Sequence, residues 1–366
     1  MIRVLSVGSV SPEHGGKTRG GVARFHSALI KSWIKHPELG IEVVAVAALN
    51  SDENSDPITG VPYLQNRKGN SSQRMISIIE ESNPDCIIFH HISNAWAASI
   101  EVMENLPTTI GFAHSWLYCR EENDPRYPTN LNRAKKSLSK LNHLLFLSKH
   151  CRDEMYEFIE NPKCDISIIP PPLSQLSANN KSIRIHSSRN LQRIVYLGNL
   201  LSHKNPMPLV KSMQHLNDVE LILIGSGKEE SSIKRYIIEN KLSDVVKIEN
   251  DLTDSQISEY FNSADAFCLP SQYEAFGLVY LEALDHGLPL IGYGPSLDTI
   301  ETEMGIKCGF PLTEYTPEVI ASTIFKCLNY DWDRETLQKR VREVFNPYSI
   351  SKRFAELIKE IHICKE

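Results

Sequence analysis

The feature that most constrains the fold is an alternation that runs the length of the chain twice. Short apolar runs of four to six residues end in Gly, Pro, Ser, Asn or His, and each is followed by a longer stretch with helical spacing. Runs that short and that uniformly apolar are too brief for buried helices and lack the in-out alternation of a half-exposed sheet. Alternating with helical stretches, they predict parallel strands covered on both faces by crossover helices. The first cycle places strands at Val4–Gly8, Glu42–Ala47, Cys86–Phe89, Thr109–Ala113, Leu144–Leu147 and Ser167–Ile169. The second begins at Arg193–Leu197 and continues with Leu221–Gly225, Val245–Ile248 and Ala266–Leu269. A helix is predicted from about Val22, with Val22, Phe25, Leu29 and Trp33 near one face, and another from Asn346, with Phe354, Leu357, Ile358 and Ile361. Between the cycles, Pro170–Pro172 lead into a Ser/Asn-rich stretch, which predicts a linker near 172–190. A chain of 366 residues has room for two such domains.

Composition narrows the function classes. With 39 basic and 45 acidic residues the net charge is −6, which gives no electrostatic case for wrapping nucleic acid. Residues 1–175 carry 18 basic and 19 acidic side chains, and residues 176–366 carry 21 and 26, a difference of −5. One local basic run, Arg133, Lys135, Lys136 and Lys140, reads either as a solvated helix face or as a surface for anionic lipid. No apolar run approaches the roughly 20 residues that span a bilayer, and MIRVLSVGSV lacks the marks of a secretory leader. Eight scattered cysteines without a C-x-x-C pair predict free thiols. The expected setting is cytoplasmic, at most touching the inner membrane face.

Residues 11–18, SPEHGGKT, imitate a phosphate loop with Ser11 in place of its first Gly. A nucleotide hydrolase would start its helix at the Lys-Thr pair and end a second strand in Asp. Here Arg19-Gly20-Gly21 interrupts, and the strand at 86–89 runs into His90-His91. The segment reads better as a loop whose Gly20-Gly21 pair opens a helix near an anionic ligand. The richest stretch is LPSQYEAFGLVYLEALDHGLPLIG, 269–292. It predicts a strand, a loop carrying Glu274, and a helix opening near Phe276-Gly277 with Glu282 inside it and Gly287-Leu288-Pro289 as its stop. The amides of Gly277, Leu278 and Val279 would face a phosphate. Two carboxylates beside a phosphate site suit hydroxyl groups on either side of it, as in a nucleotide sugar.

That segment, with Glu274 and Glu282 in an E-x₇-E pattern before A-L-x-x-G-L-P, resembles the donor-site signature of retaining GT-B glycosyltransferases of the glycosyltransferase family 4 type. YLGNLLSHKNP (196–206), LILIGSGKEE (221–230), TRGGVARFHSALI and PTTIGFAHSW resemble other motifs of that type in the same order. The resemblance implies an α/β chain of two Rossmann-like domains facing across a cleft: 1–175 plus 346–366 on the acceptor side, and 190–345 binding the donor. It implies transfer of a hexose, glucose as first choice, from a UDP-sugar to a saccharide or lipid-linked saccharide in polysaccharide synthesis. It also implies that the acceptor is selected in the first domain, whose segments 52–74 and 117–132 read as polar, irregular loops. No cofactor or metal is expected. By the same resemblance Glu282 holds the donor ribose, Glu274 orients the transferred sugar, and Lys204 meets the diphosphate. Gly20 and Gly21 close over the phosphates, and His114 lies near the sugar. Two positions depart from the pattern. Asn199 stands where an Arg is usual, so Lys204 acts with another base such as His203 or Arg24, or the phosphate contact weakens. Asn250 stands where Gly is common beside the nucleobase. A metal site from His90, His91 and His114 is not expected, and Asp285-His286 reads as structural. Competing readings are a non-hydrolysing sugar-nucleotide epimerase, an ATPase, and a sugar-nucleotide-binding module without catalysis.

Overall fold

The computed structural model describes residues 1–10, 20–48, 60–65, 71–114, 127–159, 162–174 and 191–365. The imitation phosphate loop, most of the linker at 172–190, and much of the expected loops 52–74 and 117–132 lie outside them. The first cycle forms a seven-stranded parallel sheet: β1 (Ile2–Gly8), β2 (Ile41–Ala48), β3 (Tyr63–Gln65), β4 (Cys86–Phe89), β5 (Thr108–Ala113), β6 (His143–Phe146) and β7 (Asp165–Ile168). Its order is β3-β2-β1-β4-β5-β6-β7. The second cycle forms a six-stranded sheet from β8 (Gln192–Leu197), β9 (Val219–Ile224), β10 (Val246–Glu249), β11 (Ala266–Leu269), β12 (Leu290–Tyr293) and β13 (Gly309–Leu312). Its order, β10-β9-β8-β11-β12-β13, repeats the first plan with every pair parallel. In both sheets the order reverses direction beside the first strand. The switch points lie between β1 and β4 and between β8 and β11.

Contacts divide the chain into one unit of Met1–Ser174 with Phe345–Glu366 and another of Gln175–Val344. The last helix, Pro347–Lys365, belongs to the first unit. Its Phe354 packs edge-on against Phe25 and at a tilt on Phe112, and Trp33 Nε1 donates to the Ser351 carbonyl at 3.2 Å. Phe354 and Ile358 are buried, whereas Leu357 and Ile361 are half-buried, so the expected apolar face is narrower than its spacing suggested.

Three strands escape the sequence pattern. β3 is a three-residue edge strand after Pro62, too short for periodicity to register. β12 is squeezed between Pro289 and Gly294. β13 contains Pro311, which a sheet tolerates only at an edge, and β13 is an edge. The segments expected to be irregular also need correcting, because 52–74 holds β3 and the start of the helix Ser71–Ser82, and 117–132 holds the start of the helix Tyr127–Leu138. Arg133, Lys135 and Lys136 lie on that helix, and Lys136 pairs with Glu101 at 2.8 Å. The helix predicted from Val22 runs over Gly21–Lys35 and buries Phe25, Leu29 and Trp33, while Val22 is only half-buried.

Candidate active site

In the second unit the motif residues collect beside the β8/β11 switch point. β8 ends at Leu197, and the chain turns through Gly198, Asn199 and Leu200 into a single turn of 3₁₀ helix, Ser202–Lys204. Asn205 takes a left-handed conformation (φ 51°) there. Its Nδ2 donates to the Pro270 carbonyl at 2.9 Å, and the Gln272 amide donates to the His203 carbonyl at 2.9 Å. The loop after β8 is thereby laced to the loop after β11. Asn205 was not singled out in the sequence; the one signal is the residue type, since Asn visits the left-handed region more readily than most. Gly225 (φ +141°) and Gly227 lie under the same loop, where an added Cβ would run into the carbonyls of Gly198 and Leu200.

The lacing brings Lys204 Nζ to 2.5 Å from Glu274 Oε1, and Ser271 Oγ donates to the same oxygen at 2.8 Å. Both partners of the ion pair are mostly shielded, at 20% and 12% side-chain exposure. A pair this sheltered is screened less than a surface pair. Gly277 (φ +84°) then turns the chain into the helix Leu278–Asp285. Only glycine fits, since the angle disfavours any Cβ and the Tyr280 ring fills the space that one would need. Tyr280 is itself anchored, donating to the Leu269 carbonyl at 3.0 Å and accepting from the Tyr293 amide at 3.1 Å. Burial, and then the Glu274 charge, push its phenol well above the usual range. The amides of Leu278 and Val279 come too early in the helix for an i−4 acceptor inside it. Glu282, on that helix, is only 4% exposed.

Other predicted residues have different surroundings. Asn199 has an exposed side chain, and its carbonyl accepts from Tyr196 Oη at 2.8 Å. Asn250 follows β10. Its Nδ2 donates to Glu230 Oε1 at 3.0 Å, which leaves Oδ1 buried without a partner. Asp285 and His286 serve structure: Asp285 Oδ1 accepts from Arg342 Nε at 2.5 Å, and His286 pairs with Ser258 Oγ at 2.8 Å.

The first unit shows the corresponding feature at its own switch point. His90 follows β4, which pairs with β1, and His114 follows β5, the next strand out. With His26 and His91 they form a cluster of rings. His26 and His90 centroids are 4.0 Å apart, and Phe112 stacks on His90 at 5.0 Å and on His114 at 5.2 Å. Desolvation lowers the His26 and His91 pKa to about 4 and holds those of His90 and His114 well below the ordinary imidazole range. The rings are therefore neutral near pH 7. Among the described residues no group of three or more His, Cys, Asp or Glu converges as metal ligands. The sequence marked His90, His91 and His114 but missed His26, which joins them only through the crossover helix. Gly20 caps that helix in an ordinary extended conformation (φ −64°), and a Cβ there would meet nothing within 4 Å. Among the described residues nothing in the packing requires that glycine. A depression of about 560 Å³, lined by Ser71, Ala95, Val102, Asn132 and Arg133 among others, contains none of the predicted site residues.

Two family models match in tandem: Glycosyltransferase Family 4 over residues 19–174 and Glycosyl transferases group 1 over 179–344. The chain belongs to glycosyltransferase family 4. Its fold is that of the GT-B members. This family 4 chain superposes on sucrose-phosphate synthase from Thermosynechococcus elongatus with a TM-score of 0.77, covering 99% of this chain and 100% of that one at 16% identity. It also matches Anabaena HepE in complex with UDP, with a TM-score of 0.75 at 15% identity over 98% and 100% of the two chains. By sequence it is similar to glycogen synthase of Chlorobaculum parvum, 28% identical over 151 residues, which is 39% of this family 4 chain and 31% of the relative. It spans about a third of the length of the curated relatives that it matches.

Proposed function

We propose that the chain is a retaining glycosyltransferase that moves a hexose, glucose as first choice, from a UDP-sugar to a hydroxyl of a saccharide or lipid-linked saccharide. The observation that carries this reading is the grouping at the β8/β11 switch point of Lys204, a helix N-terminus and two carboxylates eight residues apart. The cation and the Leu278 and Val279 amides suit a diphosphate, and Glu274 and Glu282 suit the hydroxyls of hexose and ribose on either side. Lys204 would also offset the charge that develops on the departing nucleotide. Gly20 stands at the N-terminus of the Gly21–Lys35 helix, a place that suits a phosphate. Asn250 Oδ1, turned from Glu230 because a carboxylate needs the amide's donor end, suits an N–H of the base. The relative and the neighbours add support: glycogen synthase and sucrose-phosphate synthase by their names, and HepE by its bound UDP. The Gln175–Val344 unit is the donor side in this reading, and the other unit takes the acceptor. Transfer needs no metal, and the work is done in the cytoplasm.

The test is incubation with a panel of nucleotide sugars, with and without saccharide acceptors, following nucleotide release and the anomeric proton of the product. UDP released only with acceptor, and an α-linked product from an α-linked donor, are expected. An altered UDP-sugar without UDP release would make the protein an epimerase. Binding of UDP without turnover of any donor would make it a binding module, and a response to ATP alone would overturn the donor assignment. EDTA should leave the rate unchanged; a loss that Mg²⁺ or Mn²⁺ restores would refute metal independence.

A further inference from the structure

The histidine cluster contains a directional hydrogen-bond chain whose polarity can be worked out from its one fixed end. The Ser9 carbonyl only accepts, so His26 Nδ1, 2.9 Å away, carries the proton. In a neutral ring His26 Nε2 is then bare and accepts the Ser6 hydroxyl at 2.7 Å. Ser6 has spent its only proton. Its oxygen must therefore accept from His90 Nε2, 3.3 Å away on its other side. That leaves His90 Nδ1 bare, and the contact at 3.4 Å to His114 Nε2 is made by a proton on His114. The chain ends with His114 Nδ1 as a bare acceptor, which makes no hydrogen bond among the described residues.

We infer that His26, Ser6 and His90 are positioning residues that hold His114 as its Nε2–H tautomer and present Nδ1 to a hydroxyl of the bound sugar. This rests on the reading of His114 as a residue beside the transferred sugar. Isolated imidazoles exchange tautomers freely, and the wrong one would point N–H instead of a lone pair at that hydroxyl. Two further features guard the arrangement. Phe25, edge-on to His90 and His114, and Phe112, stacked on both, fix the ring planes. Gly8 lets the rings come together, since a Cβ there would lie 2.9 Å from both His26 Nδ1 and His90 Cβ. The lowered pKa values fit, because protonation of His26 or His90 would reverse or break the chain and protonation of His114 would cover Nδ1. The logic is that of a triad, in which a buried partner selects the tautomer of a histidine, with an uncharged serine and two more rings in place of a carboxylate.

The first readout is two-bond ¹H–¹⁵N correlation of the histidine rings in the unliganded protein at pH 7.5. His26 is expected protonated on Nδ1, and His90 and His114 on Nε2. A His114 proton on Nδ1, or an averaged mixture, would overturn the inference whether or not the protein transfers sugar. The second readout is Ser6→Ala beside His26→Gln. Ser6→Ala removes the link and should average the His114 tautomer and lower kcat/KM about tenfold with UDP affinity unchanged. His26→Gln keeps an acceptor for Ser6 and should keep the tautomer and most of the rate, whereas His26→Leu should behave like Ser6→Ala. Unchanged tautomer and kcat/KM in Ser6→Ala would refute the relay. A correct tautomer pattern in a protein that transfers no sugar would refute the function and leave the relay standing. If Ser6→Ala fails to fold, the wild-type spectrum decides alone.

Discussion

Lys204 and Glu274 pair with each other in the free chain, so under the proposed function donor binding would exchange partners rather than fill an empty charge. A bound diphosphate would have to draw the ammonium from the carboxylate, and the carboxylate would then turn to a sugar hydroxyl. On the proposed reading an acidic second half can still take an anion, because one lysine and a helix end at the site outweigh the net charge. Lys204→Ala should therefore do two things. Transition-state charge loses its partner, with kcat falling roughly 10²–10³-fold. Glu274, mostly shielded, loses its cation, so donor KM changes as well. Glu274→Gln leaves Ser271 its acceptor and removes only the charge. It should keep UDP affinity within a few-fold and reduce turnover; near-normal turnover with intact donor affinity would show that Glu274 does not orient the sugar. Gly277→Ala is the structural counterpart. Its positive φ and the Tyr280 ring together predict a loss of about 1–3 kcal/mol in urea unfolding. UDP binding should weaken by more than that stability loss explains, because the Leu278 amide shifts with the turn.

At the scale of elements, the strand-helix cycle and the E-x₇-E helix were legible because each is local: apolar runs, a glycine, a stop. What was not legible depends on approach between distant segments. His26 lies on the Gly21–Lys35 helix and joins His90 and His114 only when β1, β4 and β5 pair. Asn205 matters because it reaches Pro270, 65 residues later. β12 and β13 are too short and too interrupted by Gly and Pro to be read without their neighbours. The His element predicts a pH dependence of folding. Unfolded imidazoles titrate near 6.5, and His26 in the folded chain titrates at about 4. Between those values the unfolded chain binds more protons. Stability is thus full above about pH 6.5 and falls as pH drops toward 4, by about 3 kcal/mol for His26 alone. The charges acting on His26, His90 and His114 are those of the other histidines in the cluster, and Phe25, Phe112 and Ser6 add none. Urea midpoints should fall from pH 7.5 to pH 5, and His26→Gln should flatten that fall. A flat wild-type profile would refute it.

At the scale of the whole molecule, the chain leaves its first unit at Ser174 and returns to it at Phe345. The return is anchored by the Leu173 amide on the Phe345 carbonyl at 2.8 Å, and by Phe354 on Phe25 and Phe112. Those two rings also flank His90 and His114, so the last helix supports the histidine cluster it never touches in sequence. Phe354→Ala should cost about 3–5 kcal/mol. Because the contacts lie within the first unit, the loss should appear there: hydrogen exchange should quicken in β1, β4 and β5 and stay unchanged in β8, β9 and β11. Saturating UDP should do the reverse. At 100 times its dissociation constant it adds about 2.7 kcal/mol to whatever unit binds it. Protection should therefore rise in β8, β9, β11 and the 278–285 helix, with β1, β4 and β5 left as they were. If Phe354→Ala slackens both sheets equally, the units unfold as one block. If UDP protects the first sheet instead, the donor site has been assigned to the wrong unit, and Lys204 and Glu274 form a structural pair.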